Sequence, residues 1–121
     1  MPVTASFRAF VLEQLEQALR DIRDKRMFGG VGIYADDLFF ALIDNDTLYF
    51  KVDDVTRPAY IAAGMKQFSP YGPEGETMGY FQVPIGVLED VDALRSWAAD
   101  AVAVVGRAKQ KPRVRLQRIK K

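Results

Sequence analysis

Apolar residues recur at Phe7, Val11, Leu15, Ala18 and Ile22, at spacings of three and four. That draws one apolar stripe along a helix. Thr4 or Ser6 can cap its start, and Glu16 and Arg20 form a favourable pair four residues apart. The pattern predicts that this helix runs to about Lys25. The period then changes. Residues 32–35, 38–43 and 47–52 read as three strands in a meander, with Asp36-Asp37 and Asp44-Asn45-Asp46 as tight turns. In the third strand Leu48, Phe50 and Val52 alternate against Thr47, Tyr49 and Lys51, so Tyr49 and Lys51 share the face opposite Leu48 and Phe50. Arg57-Pro58 opens a short helix through Ala63, and Gly64 suits its end. Residues 68–71 and 77–83 read as a hairpin around Gly72-Pro73-Glu74-Gly75, stopped by Pro84. Asp90 caps a last helix whose inner stripe is Leu94, Trp97 or Ala98, Ala101, Val104 or Val105, and Ala108.

The predicted order is α-β-β-β-α-β-β-α. Short links between strands make the sheet largely antiparallel. The expected fold is a two-layer α+β domain, a five-stranded sheet with helices on one face. The chain has 121 residues, 49% hydrophobic and 27% charged, which suits one globular domain with a continuous core.

Charge divides the chain. All 16 acidic residues lie at or before Asp100, whereas 8 of the 17 Lys and Arg lie from Arg107 onward. The body through Gly106 carries −7 and the remainder +8. Residues 1–108 therefore read as the domain and 109–121 as a mobile basic extension, an arrangement typical of interaction tails. Arg107, Lys109, Lys111, Arg113, Arg115, Arg118, Lys120 and Lys121 could neutralise nucleic-acid phosphates. The segment has no aromatic residue, which argues against base stacking. Its alternative use is to solubilise the chain or fold back on the acidic body.

The chain contains neither cysteine nor histidine. Disulfides, thiolate chemistry, cysteine-ligated metals and histidine-based catalysis are thereby excluded. No metal, cofactor or catalytic residue is expected. The start has no signal-peptide pattern and the apolar runs are too short to cross a bilayer, so a cytoplasmic protein without a membrane partner is expected. Gly29-Gly30-Val31-Gly32 lacks the Lys-Ser/Thr pair of a phosphate loop and leads into a strand, so it reads as a bend into the sheet. An EF-hand starting at Asp44 would need acidic, glycine and glutamate residues where Leu48, Tyr49 and Val55 stand. The paired acids are therefore read as turn residues. Glu74, Glu76 and the stretch Glu89-Asp90-Val91-Asp92 sit at a hairpin tip and a helix cap, where carboxylates are solvated. Tyr34, Tyr49, Lys51 and Tyr80 are the candidate interface residues, because tyrosine is enriched at interface cores. A homodimer is the expected use.

An ordered set of segments resembles a known family. It comprises Met27-Phe28-Gly29-Gly30 with Gly32 and Tyr34, then residues 46–53 (Asp46-Thr47-Leu48-Tyr49-Phe50-Lys51-Val52-Asp53) with Arg57-Pro58 and Ala63-Gly64. Gly79-Tyr80-Phe81-Gln82-Val83-Pro84, Leu88-Glu89-Asp90 and Trp97-Ala98 complete it. In this order they resemble the N-terminal domain of the TfoX (Sxy) bacterial competence regulators, in a stand-alone form. The resemblance implies a secretion-chaperone-like α+β fold. It also implies a non-enzymatic role in competence or transcriptional regulation beside a DNA-binding activator, with a transcription factor as partner. The alternative is a chaperone-like or structural homodimer that binds a peptide without nucleic acid.

Overall fold

The computed structural model describes residues 3–27, 29–69 and 79–119, with side chains as far as Lys109. Thr4 caps the first helix, α1 (Ala5–Ala18), accepting a bond from the Phe7 N–H at 3.2 Å. Val11, Leu15 and Ala18 are its buried side chains, as the stripe predicts. The helix stops seven residues short of the predicted end at Lys25. Leu19 turns to extended backbone and Asp21 takes a positive φ of 54°. Ile22–Met27 is then a strand, β1, not the end of the helix. The correction has a physical reason: Ile22 continues the helical spacing, and Arg-Asp-Lys-Arg behind it suits a solvated helix face equally well. Only the partner strand decides the outcome.

Three further strands follow, β2 (Gly30–Ala35), β3 (Leu38–Asp44) and β4 (Thr47–Lys51). After α2 (Arg57–Ala62) comes β5 (Tyr80–Gln82). The sheet is five-stranded and antiparallel throughout, in the order β1-β2-β3-β4-β5. The α+β fold class and the strand number are as the sequence predicts, but the strands are not the same five. Of the predicted strand 68–71, residues 70–71 lie outside the described residues; Phe68 donates its N–H to the Tyr80 carbonyl, and just before it Gln67 forms an isolated bridge with Phe81 and Lys66 accepts from the Gln82 N–H. The predicted hairpin tip lies outside the described residues. The observed order is α-β-β-β-β-α-β-α-α, ending in α3 (Ile85–Leu88) and α4 (Val91–Ile119). The α4 backbone continues through Gly106 and Pro112, so residues 109–119 are helical.

Both predicted acidic turns form. Asp36-Asp37 and Asn45-Asp46 all have positive φ, the conformation that two-residue hairpins need and that Asp and Asn tolerate. Gly30 is required for a different reason. A Cβ there would stand 2.6 Å from the Ile43 carbonyl oxygen, so only glycine lets β2 lie this close to β3.

One bulge sets the faces of the sheet. Ile33 opposes Ala41 and Tyr34 opposes Phe39, leaving Phe40 as the extra residue of β3. Phe40 and Ala41 are consequently both buried, while Phe39 turns to the other face. The core face carries Val31, Ile33, Phe40, Ile43, Leu48 and Phe50. Against it pack Leu15 of α1, Tyr60 of α2, Leu88 of α3, and Leu94, Ala98 and Ala101 of α4. The helices thus cover one face, and no charged side chain is buried among the described residues.

Candidate functional site

The helix-free face of the sheet gathers the four interface residues that the sequence singles out. Tyr49 and Lys51 point away from buried Leu48 and Phe50, as their alternation predicts. Lys51 is paired in register with Tyr80, and its ammonium sits 5.1 Å from the centre of the Tyr80 ring. Tyr34 stacks on Phe39 at 5.2 Å, and Phe39 meets Tyr80 at 5.9 Å. Tyr49 lies against Phe68 at 4.8 Å. Two linked aromatic groups therefore cross β2, β3, β4 and β5. Gly32 makes room for them: a Cβ there would meet the Met27 and Phe39 side chains that lie over it.

Phe39, Phe68 and Met27 are not among the four interface residues selected from the sequence. Residues 38–43 are apolar throughout except for their flanks, so alternation gives no phase, and the bulge that turns Phe39 outward leaves no local mark.

The Tyr80 and Tyr49 phenols of this face stay neutral at physiological pH. Burial, with Tyr34 adding to it, pushes the Tyr80 hydroxyl up to about 12. Burial and the nearby Asp44 carboxylate also raise Tyr49, against a hydrogen bond with Thr47. Such a face offers apolar rings with neutral polar tips, the chemistry of a protein interface rather than of acid–base catalysis.

A second feature lies between α2 and α4. Tyr60 meets Trp97 edge-on at 4.7 Å, and burial followed by Asp100 raises its hydroxyl pKa. A cleft of about 320 Å³ opens beside them, lined also by Val55, Ala59 and Arg107. Arg107 closes one end by donating to Asp53 at 2.7 Å. Asp53 in turn accepts the N–H groups of Val55 and Thr56, ordering the turn that starts α2.

The Arg107 bond, helped by those N–H groups and opposed by partial burial, holds the Asp53 carboxyl at about 2, below its ordinary 3.8. A depressed carboxylate stabilises the fold above its unfolded pKa, and the contribution is lost as pH falls through the folded value. Both side chains are partly exposed, which limits the pair to less than about 1 kcal/mol. In Arg107→Gln, carboxyl-carbon NMR should show the Asp53 pKa rising while staying below 3.8, because the two N–H bonds remain. The stability advantage of the native chain over this variant should fade between pH 3.8 and about 2.

The other sequence-predicted groups are scattered. Of the basic candidates, Arg107 is bound to Asp53 and Lys109 is exposed. Lys111, Arg113, Arg115 and Arg118 lie on the α4 backbone, and Lys120 and Lys121 fall outside the described residues. Gly30 leads into β2 rather than a helix. Asp90 accepts from the Asp92 and Ala93 N–H groups at the start of α4, and Asp92 pairs with Arg95 at 2.9 Å. Glu74 and Glu76 lie outside the described residues. Among the described residues no cluster of three acidic groups could hold a metal, and no helix is long and apolar enough to cross a membrane.

Comparison with known proteins places this geometry. No curated protein matches the chain. The family model described as the TfoX N-terminal domain matches residues 13–105, from the middle of α1 into α4 and across all five strands. The match takes in the whole sheet, both of its faces and the α2–α4 cleft apart from Arg107, and the chain belongs to the TfoX N-terminal domain family.

Proposed function

We propose that the chain is a non-enzymatic regulatory binding module of the cytoplasm, linked to transcription or competence through protein contacts. Membership of the TfoX N-terminal domain family makes it a competence-regulator-like module. The observation that carries the further step is the helix-free sheet face, where Tyr34, Phe39 and Tyr80 pack in a row beside Lys51 and Tyr49 packs on Phe68. Rigid aromatic groups on a sheet suit the centre of a protein–protein contact. The partner in this reading is a transcription factor, with the basic C-terminal segment adding affinity for DNA. Binding rather than catalysis is supported by composition, since the chain has no cysteine or histidine to form a nucleophile–base pair.

The same face supports a second reading, a chaperone-like or structural homodimer without nucleic acid. A tyrosine-rich face can meet its own copy about a two-fold axis.

The test is a pair of charge substitutions on that face, Tyr34→Lys with Tyr49→Lys. Transcripts are compared in cells with the native chain, with the variant and without the chain. Regulation through the face predicts that the variant resembles loss of the chain while its melting transition stays cooperative. A variant that restores the native transcripts removes the face from the account. Transcripts that ignore loss of the chain remove regulation. Sedimentation of both proteins addresses the second reading, which predicts a native dimer and a variant monomer.

A further inference from the structure

The first strand is an open edge of the sheet. β1 pairs with β2 alone, and its other side is unpaired among the described residues. The Asp36 N–H donates to the Asp21 carbonyl, which sets the phase of this antiparallel pair. With Ile22 opposite Ala35 and the register unbroken to Met27, the backbone groups of Arg23, Lys25 and Met27 turn toward β2. Those of Ile22, Asp24 and Arg26 turn outward. Each outward residue presents an N–H and a C=O at the spacing another strand would match.

The charge on this edge has one sign. Arg23, Lys25 and Arg26 are exposed, while the acid between them, Asp24, is held by Arg8 of α1 at 2.8 Å. Lys25 and Arg26 have no ion-pair partner among the described residues. Arg23 pairs with Asp37 at the β2–β3 turn, but both are largely exposed and such a pair exchanges readily. Beside the edge lies a shallow hollow of about 390 Å³, lined by Arg23, Lys25 and Tyr34 together with Asp24 and Asp37, the two carboxylates already paired with Arg8 and Arg23. All of this sits on a body whose formal charge through Gly106 is −7.

We infer that the β1 edge takes an extended acidic peptide segment of a partner protein by strand addition. The backbone of Ile22, Asp24 and Arg26 supplies the new ladder. Acidic side chains alternating along the added strand lie opposite Arg23 and Lys25 on the outer face, and one on the helix side lies near Arg26. Main-chain bonds provide affinity and the alternate side chains provide selection. A second copy of β1 is a poor occupant, since its three cations would meet three like charges. The inference concerns the backbone edge that borders the aromatic face, shares Tyr34 with it, and stands if that face proves idle.

A short peptide alternating glutamate with valine is titrated into the full chain and followed by amide NMR. Binding should slow amide exchange at Ile22, Asp24 and Arg26, weaken with salt, and be absent for the lysine–valine counterpart. Arg26→Pro removes one outward N–H but no bond to β2, so it should lower affinity by about tenfold or more with little change in melting temperature. Lys25→Glu with Arg26→Glu should lower it similarly, and tests the charge requirement if the proline variant folds poorly. The proposal is overturned if the glutamate peptide leaves β1 unperturbed at millimolar concentration. It is equally overturned if the lysine peptide binds as well, if the glutamate-substituted chain binds unchanged, or if β1 amides are already protected by self-association of the free chain.

Discussion

Phe50→Ala should destabilise the domain by about 3–5 kcal/mol, the range for removing a fully buried aromatic ring. Phe50 is 0% exposed and lies on β4 opposite Ala41 on one side and Phe81 on the other. Its ring also meets Phe40 at 5.6 Å, so deletion leaves a cavity walled by the sheet and by α4 above it. The bulge makes that cavity hard to close. Phe40 and Ala41 already share the core face, and β3 is pinned to β2 by the close approach at Gly30. The neighbouring substitution Tyr49→Ala is the control. It removes a ring of similar size from the helix-free face, where the described partner is Phe68, and should cost about 1 kcal/mol. Thermal unfolding of the two variants measures the difference. At roughly 4 °C per kcal/mol for a chain of this length, Phe50→Ala should melt about 12–20 °C below the native protein. Tyr49→Ala should stay within about 5 °C of it. Equal losses would mean that both faces are covered, and the outer face would cease to be a candidate interface.

Alternation in β4 was legible because Thr47, Tyr49 and Lys51 carry polar atoms between three apolar residues. The acidic turns were legible because Asp36-Asp37 and Asn45-Asp46 are residues that adopt positive φ and stand between apolar runs. The interface set Tyr34, Tyr49, Lys51 and Tyr80 was chosen for residue chemistry, and the fold brings it together on one face. β1 was not legible. An edge strand has one neighbour, so its sequence need not alternate, and charged residues there prevent edge-to-edge pairing while also suiting a helix surface. The helical stripe from Phe7 ran on to Ile22, and no glycine or proline marked the break at Asp21. The phase of β3 was hidden for the opposite reason, since its residues 38–43 are all apolar. Strand partnership supplies both answers, and partnership is a property of the whole sheet.

Duplex DNA should bind the full chain with an affinity that falls steeply with salt, and should not bind a chain ending at Ala108. Arg107, Lys111, Arg115 and Arg118 stand at intervals of four, four and three, which on the helical backbone of α4 puts these four positions on one side. One helix side following a phosphate backbone neutralises about four phosphates once Arg107 exchanges its partly exposed pair with Asp53 for one of them, so log affinity should fall with log salt at a slope of roughly −3 to −4. Between about 50 and about 200 mM salt that is a loss of about a hundredfold. Truncation after Ala108 removes three of the four positions and every later cation, while leaving Arg107 bound to Asp53. The shortened chain retains nine cations before Arg107 against sixteen acids, a body that repels DNA. Its affinity should therefore drop below detection rather than by a modest factor, and its fold should persist because the buried residues of α4, Leu94 to Val104, are kept. A slope near zero in the full chain would show that contacts are not ionic. Equal binding by both chains would move the contact to the body. Failure of both to bind would remove nucleic acid from the account and leave the aromatic face and the β1 edge as the working surfaces.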